Sequence, residues 1–593
     1  MLAFGALIDL ALAPLDDAYS ARLRRSLSAI PGRASVVSDL GMALVHIADE
    51  RTTSFDAELP LVDGDLVVAG TLRIDAQDAL RAALALDSSS ASERPSDVRL
   101  VALAYRRWGD RMAEHLIGDY AFVVWDRAAR RVICARDSHG NRQLFWGRSG
   151  TRLAVASTTE AVRSLPGVSS AMYERAVVEF LRDGWATEPE RTAFREVRRV
   201  PAAHTLVFDG EASLSLRRHW DFPTPAPIRY RRDDDYVAHF RDVLAATLRD
   251  RCRSTDAAIM LSGGMDSTTL AAALRQAVPD VTLHAFTYDN PTLAPNDDAM
   301  LAVPVAQRFG LRHEVVEVDE PPSMSHLDDE EALPSQPLDE SDLAITRETL
   351  RAVSAAAPIA FYGEDGDTLL QAPTLLGQLR TQPLAEVVSS WASRWLRTGR
   401  RPWVGLEWRA RVRRLGGDSA PDRTPWMRAS ARAVAPVAPF RARAHALRPQ
   451  SVRLLASPIW DALYEGLAPA TTRAPLLFTL PLVDPRLLAF VYAIPPVPWC
   501  QEKYLFRRAM RDELPPAVLA RPKTPAGGLI EARVAQWRQR GGAETAISAR
   551  VAPWVDVEAV RRIFREGSPY AVIDAWRVLH VDRWLAREER RRA

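Results

Sequence analysis

From residue 233 to about residue 370 the chain alternates between amphipathic stretches and short apolar runs, and this alternation restricts the fold more than any other feature. "DDDYVAHFRDVLAATLRDRC" reads as a helix with an acidic start. It is followed by "AAIML" (strand), "DSTTLAAALRQAV" (helix), "TLHAFTYD" (strand), "DDAMLAVPVAQRFG" (helix), "RHEVVEVD" (strand), "DLAITRETLRAVSAA" (helix) and "PIAFYG" (strand). Such βα repetition predicts a parallel, doubly wound α/β sheet, with a ligand at the carboxyl ends of its strands. The preceding part is different. "GALIDLAL", "MALVHIAD", "LVVAGTL", "AFVVWD", "RVICARD", "RLAVAS" and "HTLVFDG" are short apolar runs bounded by charged or glycine-containing turns, with helical patches at "AQDALRAALAL" and "VRLVALAYRRWGDRMAEHL". That pattern predicts an α+β layered domain with much antiparallel sheet.

The expected organisation is therefore a layered domain over 1–220, a proline-rich linker "DFPTPAPIRYRR" over 221–232, and a second domain over 233–593. Beyond about 375 the second domain reads as mostly helical, with a segment crowded by Arg and Trp over 376–450. At 593 residues, 47% hydrophobic and 26% charged, the composition is that of an ordinary globular protein. The net charge of +2 is a small difference between large totals and gives no argument for nucleic-acid binding. Cys134, Cys252 and Cys500 are too far apart to suggest a disulfide framework or zinc site, and His139, His284 and His313 are too scattered to suggest a metal cluster. The opening "MLAFGALIDLALAPLDDAYS" lacks a basic start and reads as a buried strand, not a signal peptide. No apolar run reaches the ~18 residues of a membrane span, so the expected location is the cytoplasm.

"AAIMLSGGMDSTTLAAAL" is the strongest local signal. A buried strand ends at Leu261, Gly263 and Gly264 allow a tight turn, and a helix starts near Asp266–Ser267. The free N–H groups of the helix start would face an anion, with Ser262 and Ser267 as hydroxyl donors, and no Walker Gly-Lys-Ser/Thr follows. The plainer alternative is a glycine turn. S-G-G-x-D-S resembles the pyrophosphate loop of ATP pyrophosphatases, which cleave ATP between the α- and β-phosphates. A leaving pyrophosphate calls for Mg²⁺ on hard oxygen ligands. Asp266 is one candidate. Asp367 is the other, from "AFYGEDGDTLL" one crossover later, a stretch that alone would read as an acidic loop.

Taken in order, "GDYAFVVWDRAARRVICARDSHGNRQLFW", "LSGGMDS", "NDDAMLAVPVAQRFG", "YGEDGDTLL", "LPLVDPRLLAFVYAIPP" and "RPKTPAGG" resemble the motifs of the asparagine synthetase superfamily over nearly the whole chain. The resemblance implies an Ntn-hydrolase-like first domain, a glutaminase, then an ATP-pyrophosphatase (PP-loop) domain with a helical C-terminal extension. The superfamily activates a carboxylate as an acyl-adenylate and lets a nitrogen nucleophile form an amide. It also implies that Leu261, Tyr288, Tyr362 and Gly363 surround the nucleotide, and that Glu364 is a candidate base, with a helix-capping or outer-sphere role as the alternative.

The glutaminase motif is degenerate. Leu2 stands where the resemblance expects a nucleophilic cysteine, and leucine has no nucleophilic atom. Ala69 replaces the amide donor of the oxyanion hole, Thr71 replaces the carboxylate that grips a substrate amine, and the expected arginine is missing from "ALVHIAD". Glutamine is then no source of nitrogen, and the amine must be carried by the substrate. With its C-terminal string "PPVPWCQEKYLFRRAM…LPPAVLARPKTP", the chain is most similar to the lasso peptide cyclases (macrolactam synthetases). That implies a core-peptide substrate, with a leader peptidase and a leader-recognition protein as partners. β-Lactam-forming synthetases, an ammonia-dependent asparagine-forming enzyme and a non-catalytic peptide-binding scaffold are the alternatives. The 376–450 segment is expected to cap the active site, or to hold the peptide or its peptidase.

The chain contains two lysines, Lys503 and Lys523, among 77 basic Lys and Arg residues. By resemblance Lys523, in "ARPKTP", reaches the α/β-phosphate region and is catalytic. Lys503 is expected on an amphipathic helix, shaping the same mouth in a supporting role without touching the chemistry.

Overall fold

The computed structural model describes residues 2–39, 41–52, 58–86, 95–210, 213–373, 375–381, 383–398, 422–435, 445–522 and 528–592. Two six-stranded antiparallel sheets form the first part. In spatial order one holds Arg198–Arg199, Phe145–Ser149, Arg152–Ala156, Ala3–Asp9, Met42–Ala48 and Arg33–Asp39; the other holds Ser213–Arg218, His204–Asp209, Arg131–Arg136, Ile117–Asp126, Leu66–Asp75 and Leu61–Asp63.

The strand sequences explain the layering. Along Leu66–Asp75, Leu66, Val68, Leu72 and Ile74 enter one apolar cluster with the Asp97–Trp108 helix, while Val67 and Ala69 enter another shared with Phe4, Ala6 and Ile8 of the opposite sheet. Strand side chains alternate between faces, so a strand apolar on both faces has to be covered on both. The result is helix, sheet, sheet, helix.

The second part is built on a five-stranded, wholly parallel sheet in the order Arg312–Glu317, Thr282–Asp289, Asp256–Met260, Ile359–Phe361, Leu477–Thr479. Numbered along the chain, that order is 3-2-1-4-5, the doubly wound arrangement whose direction reverses between its first and fourth strands. Ala257, Ala258, Ile259 and Met260 of the first strand are buried, as a central strand requires. The following Met265–Ala277 helix buries Thr268 to Ala273, all small residues apart from Leu270. The fifth strand, Leu477–Thr479, lies in a stretch that reads as helical, and three residues are too few to leave a period of their own.

The C-terminal helix Pro569–Arg592 returns to the first part. Trp576 and Trp584 share an apolar cluster with Leu7, Phe180 and Phe194, and Arg163 meets Glu588 at 2.5 Å. A second junction is charged. Arg251, the last residue of the Asp233–Arg251 helix, donates to Asp119 at 3.3 Å, to the Thr479 hydroxyl at 3.0 Å and to Asp484 at 3.1 Å. Arg73 reaches Asp75 and Asp119, each at 2.8 Å. Burial raises the Asp119 pKa, but Arg73, Arg251 and Arg142 more than reverse this and hold it below the usual carboxylate range. No helix among the described residues is long and apolar enough to cross a membrane.

Candidate active site at the reversal of the sheet

The first and fourth parallel strands lie side by side, with Ala258 opposite Ala360 and Ile259 opposite Phe361. The S-G-G-x-D-S loop leaves one and the Y-G-E-D-G-D turn leaves the other, so both emerge at the point where the sheet reverses. Leu261 is buried; its N–H donates to the Phe286 carbonyl at 2.8 Å and its carbonyl accepts from the Thr287 hydroxyl at 2.6 Å. Gly263 sits at φ +59°, and a Cβ there would lie 2.7 Å from the Leu301 Cβ. Glycine is needed both for the backbone angle and for the close approach of the Asp298–Arg308 helix.

Gly264 precedes the Met265–Ala277 helix in extended conformation, and no side chain caps the first turn. Ser267 folds back, its hydroxyl accepting from Ser262 N–H at 3.1 Å and lying 3.1 Å from the Ser262 hydroxyl. The loop is thereby closed on itself beside the unshared N–H groups of a helix start, an arrangement suited to a phosphate.

The acidic turn presses against this helix start. A Cβ on Gly363 would lie 3.0 Å from the Ser267 nitrogen, and one on Gly366 would lie 2.4 Å from the Asp266 carboxyl carbon. Asp266 and Asp367 meet at one cation. The Lys503 ammonium lies 2.6 Å from Asp266 Oδ2 and 3.0 Å from Asp367 Oδ1. Burial pushes Asp266 up to about 6; Lys503 opposes this, while Asp367 and Glu364 add to it. Asp365, left-handed at φ 76°, is buried with neither carboxylate oxygen hydrogen-bonded, and burial followed by Glu364 and Asp266 pushes it well above the carboxylate range.

Two carboxylates converging on one positive charge fit a divalent cation, for which the ammonium is a stand-in. Among the described residues no group of three or more His, Cys, Asp or Glu is placed to hold a metal ion, so Mg²⁺ held by Asp266 and Asp367 would complete its shell with water and phosphate oxygens.

Glu364 and Tyr362 form the neighbouring wall. Burial, then the Glu364 carboxylate hydrogen-bonded to it, push the Tyr362 phenol upward, with Tyr288 and Glu340 also close enough to act on it. Tyr288 is the penultimate residue of the second strand and is partly exposed.

Lys503 differs from its expected place. It is not on a helix but precedes one, Tyr504–Ala509, with left-handed backbone at Glu502 (φ 48°) and Lys503 (φ 57°). These angles break the amphipathic pattern and aim the side chain inward, so it touches both candidate metal ligands directly. Lys523 lies outside the described residues. Arg521, two positions earlier, donates to the Ser262 carbonyl at 3.2 Å and pairs with Asp298 at 2.7 Å. Arg521 stands in the same "ARPKTP" motif as Lys523, and that motif is the sequence signal for it.

In the first part, Ala69 and Leu2 are buried among apolar side chains, and the Leu2 N–H donates to the Ile47 carbonyl at 2.9 Å. Thr71 is buried opposite Ala121. Parts of the 376–450 segment lie outside the described residues. Within it, Leu384–Thr398 is helical and Arg394 comes within 3.5 Å of Glu502, beside Lys503.

A four-layer sandwich of Ntn type followed by a 3-2-1-4-5 parallel sheet, with a serine-glycine loop at its reversal, defines a PP-loop protein carrying an amidotransferase-like domain. The sequence profile described as asparagine synthase matches residues 239–586, and that of the glutamine amidotransferase domain matches residues 40–220. The chain belongs to the asparagine synthase family. It is 25% identical over 250 residues to Asparagine synthetase [glutamine-hydrolyzing] 3 of Bacillus subtilis (strain 168), a match covering 40% of each chain. It is 26% identical over 250 residues to Amidase chyE of Penicillium rubens, covering 40% of this chain and 36% of that one. The matches thus span about two fifths of these relatives' lengths.

Proposed function

We propose that the protein is an ATP-dependent, AMP-forming amide ligase and, more narrowly, a lasso peptide macrolactam synthetase. The observation that carries the first statement is the convergence of Asp266 and Asp367, from motifs on the two strands flanking the sheet reversal, on a single cation position. The narrower statement rests on the resemblance of the C-terminal motifs, together with Leu2, Ala69 and Thr71, which leave the amidotransferase-like domain without groups for glutamine chemistry.

In this reading an Asp or Glu side chain of a core peptide attacks the α-phosphorus of ATP. A carboxylate O–P bond forms and the α–β phosphoanhydride bond breaks, releasing pyrophosphate. The N–H groups of the Met265–Ala277 helix start and the Ser262 and Ser267 hydroxyls hold phosphate oxygens. Bound Mg²⁺ would supply positive charge against the departing pyrophosphate. The peptide's N-terminal amine, having lost its ammonium proton, then attacks the acyl carbon. Glu364, steadied by Tyr362, takes the proton released as the C–N bond forms, and AMP leaves. Lys523 is assigned by resemblance to the α-phosphoryl oxygens, and Arg521 donates to the Ser262 carbonyl of the phosphate loop. A leader peptidase and a leader-recognition protein would supply the freed core peptide.

A β-lactam-type ligase is the second reading, although that group typically places a tyrosine where Glu364 stands. Both readings make one prediction. Wild-type protein with Mg²⁺, ATP and an acceptor peptide should release AMP and pyrophosphate, and Asp266→Ala or Asp367→Ala should abolish this while leaving the circular dichroism spectrum unchanged. Release of ADP and phosphate would refute the AMP-forming assignment.

A further inference from the structure

We propose that the Lys503 ammonium is a resident counter-ion that keeps the cation position between Asp266 and Asp367 filled until nucleotide arrives, so that divalent metal enters only together with phosphate. The inference rests on the preceding reading for one point, that these two aspartates are the metal ligands.

Three observations carry it. The ammonium is within 3.0 Å of an oxygen of each carboxylate, and Lys503 and Asp266 are both largely shielded from water, with side chains 15% and 16% exposed. A magnesium ion bonded to the same oxygens at about 2.0–2.1 Å would stand in contact with the ammonium as a like charge, so the two cannot share the position.

The lysine is also held there by its backbone. Glu502 and Lys503 are successive non-glycine residues at positive φ, and the Lys503 carbonyl is fixed by the Arg507 N–H at 3.0 Å. Two adjacent residues in a region that side chains disfavour are maintained only by surrounding structure, here the buried Trp499, Cys500, Leu505 and Phe506.

Finally, the need for a cation is built in. Asp266, Asp367 and Glu364 act on one another across this space, Asp365 is buried beside them, and Lys503 is the lysine that the described residues supply. Removing its charge from between Asp266 and Asp367 opens that position to a free divalent ion. With Lys503 in place, the metal must come with enough negative charge to make displacement of the ammonium favourable, and pyrophosphate oxygens provide that charge. Lys503 is on this account a positioning residue that orders the arrival of nucleotide and metal.

The test is binding of Mn²⁺, a paramagnetic substitute for Mg²⁺, to the full chain by electron paramagnetic resonance, with and without inorganic pyrophosphate and without turnover. Without pyrophosphate, Lys503→Met should bind Mn²⁺ at least tenfold more tightly than wild type, whereas Lys503→Arg, which keeps the charge, should stay close to wild type. Adding pyrophosphate should raise wild-type affinity and shrink the difference. If Lys503→Met does not fold, as judged by its thermal melt, Lys503→Gln carries the same expectation. Equal or weaker Mn²⁺ binding by the uncharged variant, with Asp266→Asn abolishing binding in each background, would overturn the role of Lys503 and leave the metal assignment standing. Failure of every form to bind Mn²⁺ even with pyrophosphate would overturn both.

Discussion

Gly366 shows how closely the site is built. Its missing side chain leaves room for the Asp266 carboxylate, and a Cβ there would fall 2.4 Å from the carboxyl carbon, inside van der Waals contact. Gly366→Ala should push Asp266 off the cation position and lower AMP formation at least tenfold, with thermal stability reduced by about 1–3 kcal/mol as in other overpacked sites. Unchanged pyrophosphate release by the variant would show that the carboxylate does not need its present place. Asp266, Asp367 and Gly363 could be read from sequence because each stands in a short motif at the end of an apolar strand. Lys503 was legible as unusual but not as a contact. Its neighbours on both sides suit a helix, and nothing in "CQEKYLF" announces two left-handed residues in succession.

At the scale of elements, four strands of the parallel sheet were visible because each is an apolar run bounded by a helix of different period. The fifth, Leu477–Thr479, is defined by its pairing with Ile359–Phe361 and not by its own pattern, so it could be seen only in three dimensions. The same holds for the charged junction where this strand meets the Asp233–Arg251 helix and the Leu66–Asp75 and Ile117–Asp126 strands. Asp119 is buried there with Arg73 at 2.8 Å and Arg251 at 3.3 Å. Replacing buried ion pairs by apolar groups is often tolerated, but removing one partner leaves the other uncompensated and costs about 3–5 kcal/mol. Asp119→Ala should therefore lower unfolding stability by about that amount in a denaturant titration. A change within about 0.5 kcal/mol, typical of surface substitutions, would mean that the junction is hydrated and contributes little.

For the whole molecule, the amidotransferase-like part is packed against the C-terminal helix and the parallel-sheet part. Its outer apolar face is completed by Trp576 and Trp584 of the C-terminal helix, its inner junction is tied by Arg251, and Ala69 and Leu2 are packed among apolar side chains. In the proposed function, the nitrogen that forms the amide enters with the substrate at the sheet reversal. Incubating purified protein with a leader-free core peptide, ATP and Mg²⁺, with and without glutamine, and following peptide mass alongside nucleotide products tests this most directly. The account predicts a peptide lighter by one water, one AMP and one pyrophosphate per ring closed, and no glutamate or rate increase on adding glutamine. Glutamine-dependent amide formation, or a linear product in which a carboxyl OH has been replaced by NH2, would contradict it.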